Sequence, residues 1–239
     1  MKHLKVLLLA WFIFISMSGM SQAMWILIFG DKLSNDMMNS GITVSLAGVD
    51  MYGMESAQLA PNWAIGGFMD FSLFKNKKWV LSGDFTFKTP LGARNIGNFF
   101  NDIISDSVNL DKERIVLNNT AFTLPLYAKY KTRSFAFGAG FQMSLVYKAS
   151  LKYWAKTDEG HSIKITQNVI KKLKKFDIGP FAMFEFFLKP SNHAQSLRLG
   201  ARYFYGLLSP FENQKNVHNA VLMATLCIPI AGNINLNKK

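Results

Sequence analysis

Strict alternation of large apolar with small or polar residues is the feature that most constrains this chain. In Phe135–Lys148 one face reads Phe135, Phe137, Ala139, Phe141, Met143, Leu145, Tyr147. The other reads Ala136, Gly138, Gly140, Gln142, Ser144, Val146, Lys148. A repeat of two is the signature of a strand, since a helix repeats every 3.6 residues. The large face is greasier than a soluble sandwich needs, and the small face would make a poor protein core.

The same scheme recurs along the chain. Trp63–Leu73, Trp79–Lys88, Asn119–Tyr130, Phe176–Lys189 and Leu197–Leu207 all alternate, with weaker first and last segments at Ile42–Val49 and Val217–Ile230. Each is at or near the ~9–11 residues that a tilted strand needs to cross a bilayer. After residue 30 no apolar run approaches the ~20 residues of a membrane helix. Short connections follow the second, fourth and sixth segments, at Lys75–Lys78, Lys131–Ser134 and Pro190–Ser196. Longer ones, about Asp50–Asn62, Leu91–Asn118, Tyr153–Lys175 and Ser209–Asn216, follow the others. Short turns at one end and long loops at the other are the asymmetry of an outer-membrane barrel. In lipid every backbone N–H and C=O must be paired, so such a sheet has to close. The expected fold is therefore all-β: an eight-stranded antiparallel up-and-down transmembrane β-barrel over residues 41–230.

The ends read differently. Met1–Ala23 has the form of a secretory signal: Lys2, His3 and Lys5, an apolar run from Val6, and Ser21-Gln22-Ala23 as a small-x-small cleavage site. From Val6 to Phe29 no residue is charged, so an uncleaved anchor is the alternative. Residues 24–40 are expected to form a periplasmic segment, and 231–239 a tail. Export argues against a nucleic-acid role for a chain of net charge +12. The single cysteine, Cys227, excludes a disulfide scaffold and suits a small buried or lipid-facing position.

Alternation assigns nine charged residues to the lumen: Asp70, Asp84, Asp177 and Glu185 against Lys88, Lys129, Lys148, Arg198 and Arg202. Eight strands leave an interior that side chains can fill. The expectation is a network of ion pairs filling the lumen, with a conducting lumen as the sharper rival. Pro125 and Pro180 fall inside expected strands. Proline cannot donate to a ladder, so local bulges are expected there. Trp63, Trp79, Tyr130, Tyr147, Tyr153 and Trp154 fall near strand ends and suit aromatic girdles. In Thr166–Lys175 the lysines Lys171, Lys172, Lys174 and Lys175 surround Val169, Ile170 and Leu173. This basic amphipathic stretch is a candidate contact for lipopolysaccharide phosphates. His161, His193 and His218 show no metal-ligand spacing, and no nucleotide or zinc-protease motif occurs, so no cofactor, metal or catalytic residue is expected.

A series of motifs runs in order along the chain: the signal ending in SQA, the strand–turn–strand Phe68–Arg94, FTLPLYAKYK at Phe122–Lys131, Phe137–Ala149, Phe176–Pro190 and Leu197–Leu208. This ordered series resembles the PorT-like outer-membrane β-barrel proteins, related in architecture to small OmpX/OmpA-type barrels. The resemblance implies an eight-stranded barrel without a general enzymatic activity, one member of the family being associated with protein secretion. The chain departs from such barrels at its end, which runs to Lys-Lys instead of an aromatic residue. The expected protein is a monomer in the outer membrane of a Gram-negative envelope. Its partners would be outer-membrane lipid, lipopolysaccharide and envelope proteins met through the external loops. A soluble lipocalin-like ligand-binding barrel is the main alternative, and an outer-membrane lipid-modifying enzyme is a third.

Overall fold

A computed structural model describes residues 38–74, 76–96, 114–156, 162–193, 195–212 and 216–231. The expected signal, residues 24–37, the loop residues 97–113, His161 and the tail from 232 lie outside the described residues. Among the described residues there are nine strands: β1 Met38–Tyr52, β2 Ala60–Ser72, β3 Trp79–Arg94, β4 Arg114–Lys131, β5 Phe135–Lys156, β6 Ser162–Asn168, β7 Phe176–Phe187, β8 Arg198–Tyr205 and β9 His218–Ala231.

All pairings are antiparallel. Each ring strand pairs with the next in order β1-β2-β3-β4-β5-β7-β8-β9, and β1 closes the ring on β9 from Ser40–Ala231 to Tyr52–His218. The result is a closed eight-stranded barrel. The ninth strand, β6, is not part of the ring. It folds back on the last residues of β5, from Lys156–Ser162 to Ser150–Asn168, where β5 rises above its pairing with β7. The expected loop Tyr153–Lys175 is thus largely a hairpin, closed by a single 3-10 turn at Ile170–Lys172. The expected loop Leu91–Asn118 is also shorter, because β3 runs to Arg94 and β4 begins at Arg114. Short connections gather at one end of the barrel, here called the turn end, and longer ones at the other, the loop end.

Burial follows the alternation. Val44, Leu46, Trp63, Phe71, Leu81, Leu126, Phe137, Phe141, Leu199, Tyr203 and Leu222 are all exposed on the outer wall, Leu46 at 73% and Phe141 at 62%. Buried polar and charged residues lie on the inner wall of the turn half, among them Thr43, Asp70, Ser82, Asp84, Lys129, Gln142, Glu185, Arg198 and Arg202.

The loop half is built the other way round. Its inner wall is an apolar core: Ala47, Val49 and Met51 of β1, Leu91 and Ala93 of β3, Ile115 and Leu117 of β4, Ala149, Leu151 and Tyr153 of β5, and Val217. Val169, Leu173 and Phe211 descend from the loops to cover it.

In β3 and β5 a β-bulge turns the apolar series inward, whereas β1 and β4 keep one face inside throughout and change from polar to apolar residues along it. In β3 the extra residue lies between Thr86 and Thr89, both of which are buried. In β5 it lies between Val146 and Lys148, opposite Ala121 and Thr120. One extra residue shifts the pleat by one position, and a shift of one exchanges the two walls. The bulges are therefore not at the prolines. Pro125 pairs in register with Gln142, and Pro180 with Phe141. Each missing donor instead meets a break in one ladder. The β3–β4 pairing skips from Gly83–Leu126 to Thr86–Thr123, and the β7–β8 pairing ends at Phe181.

Candidate functional site

The lumen of the turn half holds one connected charge network. Asp70 of β2 accepts from the Ser82 hydroxyl at 2.7 Å, from Lys129 Nζ at 2.8 Å and from Arg198 Nη1 at 2.8 Å, with Lys131 Nζ at 3.4 Å. Glu185 of β7 faces Lys129 at 3.2 Å, Arg198 at 3.4 Å and Arg202 at 3.8 Å. Asp84 of β3 is paired with Arg202 of β8 and accepts from the Tyr127 hydroxyl at 3.0 Å. Strands β3 and β8 stand four places apart either way round the ring, so this pair crosses the full diameter. The Arg198 guanidinium is also sandwiched near the rings of Phe68 (4.6 Å) and Phe187 (5.4 Å).

Local sequence explains why the network fits. Gly138, Gly140 and Gly200 lie on the inner wall beside these long side chains. A Cβ on Gly140 would collide with the Leu126 carbonyl oxygen and stand 2.7 Å from Tyr127 Cβ. Three carboxylates meet four cations here, and every one of these groups is buried. A buried charge loses several kcal/mol of hydration, which only close partners and extra hydrogen bonds offset. The multiple partners of Asp70 and Glu185 supply that compensation.

Six of the nine residues expected in the lumen meet in this network: Asp70, Asp84, Lys129, Glu185, Arg198 and Arg202. Asp177 is buried on the inner wall but belongs to a separate group at the loop end. It accepts from Asn219 Nδ2 at 2.9 Å and from the Leu208 amide at 3.1 Å, which ties the β8–β9 connection to β7. Lys88 and Lys148 correct the expectation. Both lie immediately after the extra bulge residue and stand on the outer wall. The Lys88 ammonium lies 3.0 Å from the centroid of the Trp63 ring, and Trp63 faces outward.

The nine residues expected in the lumen do not include Lys131, Tyr127 or Cys227, which also join the network. Cys227 is buried between Arg202 Nη2 (3.7 Å) and Glu185 Oε1 (3.5 Å). All three sit at inward positions of strands already carrying an inward charge, and that shared phase was the available signal. Tyr153 also departs from the girdle reading, because it lies beyond the β5 bulge and is buried. Trp79 and Tyr130 meet edge to face, 5.1 Å apart, at the turn end.

Lys171, Lys172, Lys174 and Lys175 are exposed, while Val169 just before them and Leu173 among them are buried in the loop-half core. Apolar anchoring holds the segment down and turns its ammonium groups to solvent. Two histidines have structural partners. His193 bonds the Arg133 carbonyl at 2.8 Å and stacks on Phe187, and His218 stacks on Tyr205.

No protein family profile and no curated protein matches the sequence. Among solved structures the chain is similar to Ail, the attachment invasion locus protein of Yersinia pestis. That likeness has a TM-score of 0.42 and 13% identity, covering 82% of this chain and 99% of that one. It is similar to Neisserial surface protein A, with a TM-score of 0.35 and 13% identity over 79% and 96% of the two chains. It is also similar to the outer membrane protease OmpT from Escherichia coli, with a TM-score of 0.34 and 11% identity over 81% and 96%. The barrel itself is established by its own strand pairing.

Proposed function

We propose that this protein is an integral outer-membrane β-barrel with a closed lumen, serving a structural or interaction role through its loop end. The observation that carries the reading is the polarity of the two walls. Around the turn half, large apolar side chains face outward and paired charges face inward. A soluble ligand-holding barrel needs the reverse, with its apolar wall around the ligand. An outer apolar band with a polar interior is what a bilayer-spanning barrel requires.

Two layers support a closed lumen. The ion pairs bridge opposite strands in the turn half, and the apolar core with Val169, Leu173 and Phe211 occupies the loop half. The exposed lysines Lys171, Lys172, Lys174 and Lys175 suit contact with lipopolysaccharide phosphates, since cations near a dense anionic surface gain attraction. The motif series that resembles the PorT-like barrels adds an accessory part in secretion as the finer form of this role.

Membrane fractionation combined with heat-modifiable gel mobility tests the placement. The protein should pellet with outer membranes and shift in mobility on boiling. Recovery as a heat-insensitive protein in the soluble periplasmic fraction would refute the reading. Closure is tested through Cys227. The folded barrel should resist maleimide labelling and show no steady conductance in a planar bilayer, and unfolding should make the thiol fully reactive. Fast labelling of the folded protein would mean an open, water-filled lumen.

A further inference from the structure

The two bulges do more than change the core. They move Lys88 and Lys148 from the lumen to the outer wall, at the height where that wall stops being apolar. On β4, between the bulged strands, the outward series changes from Leu126, Leu124 and Phe122 to Thr120 and Asn118. These short side chains form a floor. Lys88 of β3 rises on one side, and Lys148 and Lys152 of β5 rise on the other. Together with Asn62, Ser150 and Thr166 they line a groove of about 300 Å³.

Three features give the groove its chemistry. It has three ammonium groups, and no carboxylate is among its lining residues. Among the described residues, none of the three lysines has an ion-pair partner. The surrounding hydroxyl and amide groups can donate hydrogen bonds, and the Asn62 amide already bonds Asn118 across the floor at 3.2 Å. The walls are fixed as well. The Tyr147 hydroxyl donates to the Phe87 carbonyl at 3.0 Å, linking the two bulges across β4. Directly below lie the outward aromatic side chains of Phe87 and Tyr147, while Trp63 flanks the groove against Lys88.

We infer that this groove binds the phosphate of an outer-leaflet lipid headgroup, with Lys88, Lys148 and Lys152 as its cations. The inference rests on the membrane reading. In a bilayer that meets the Phe87–Tyr147 level with acyl chains, the next residues up the wall meet headgroups. A soluble phosphate could satisfy the same cations, but it would not need a site standing on an aromatic ledge on the barrel's outer surface. Adjacent cations repel, so an anion between them relieves that repulsion as well as gaining hydrogen bonds.

The test uses the full barrel in nanodiscs of phosphatidylcholine doped with diphosphorylated lipid A or with its dephosphorylated form. Lipid retained on the protein is read by native mass spectrometry. The triple variant Lys88→Gln/Lys148→Gln/Lys152→Gln should lose at least about tenfold in retention of the diphosphorylated lipid. Retention of the dephosphorylated lipid should be equal in the two proteins. The loop variant Lys171→Gln/Lys172→Gln/Lys174→Gln/Lys175→Gln should keep the groove-bound lipid. Excess inorganic phosphate should not displace it. Undiminished retention by a triple variant that still embeds and still shifts on heating would overturn the groove while leaving the membrane reading intact. Full displacement by inorganic phosphate would overturn the lipid as ligand. Failure of the wild-type protein to embed at all would overturn both.

Discussion

Replacing Arg198 with methionine is expected to lower the unfolding free energy by about 3–5 kcal/mol, the usual cost of removing one partner from a buried ion pair. Methionine keeps much of the volume between Phe68 and Phe187, so the loss reports charge more than packing. Asp70 and Glu185 would each lose a cation within 3.4 Å and would stay buried. The double variant Asp70→Asn/Arg198→Met should recover part of the loss, because the cost comes mainly from the uncompensated carboxylate. Urea titration of the barrel in lipid vesicles, followed by heat-modifiable mobility, measures both. A loss under about 1 kcal/mol for Arg198→Met would show that water reaches these charges and that the lumen is open.

The second large effect is expected on the outer wall. Phe141 lies in register with Leu126 on one side and Pro180 on the other, near the middle of the apolar belt. Phe141→Arg should destabilise the barrel in a bilayer by about 2–4 kcal/mol, the cost of a cation near the midplane on a lipid-facing strand. Phe141→Leu should be nearly neutral. In a water-soluble barrel the arginine at a position 62% exposed would change stability by no more than about 0.5 kcal/mol. Comparing urea midpoints of the two variants in phosphatidylcholine vesicles separates these outcomes. A neutral Phe141→Arg would remove the main support for a membrane position.

Much of the architecture is legible in the chain. Every ring strand overlaps one of the alternating segments, because period two survives wherever a strand has two unlike walls. The lumen network is legible too, in the charges of Asp70, Asp84, Lys129, Glu185, Arg198 and Arg202, which interrupt otherwise greasy strands. The extra strand β6 was hidden. Its sequence, Ser162–Asn168, alternates weakly, and its partner is the end of β5, read from sequence as loop.

The groove was hidden for a deeper reason. In β3 the apolar residues Trp79, Leu81, Phe85, Phe87, Leu91 and Ala93 all keep odd numbering, with only Gly83 and Thr89 between them in that phase. In β5 the series from Phe135 to Tyr147 continues through Ala149, Leu151 and Tyr153 in the same way. Yet Leu91, Ala93, Ala149, Leu151 and Tyr153 are buried, while Trp79, Leu81, Phe137 and Tyr147 are exposed. Alternation by itself therefore determined that this protein is a barrel of two unlike walls. It could not say which wall each half of a strand presents. That was decided by tertiary pairing. A bulge depends on the register between neighbouring strands, so one unpaired residue in β3 and one in β5 turned the apolar series of those two strands inward in the loop half and carried Lys88 and Lys148 to the surface.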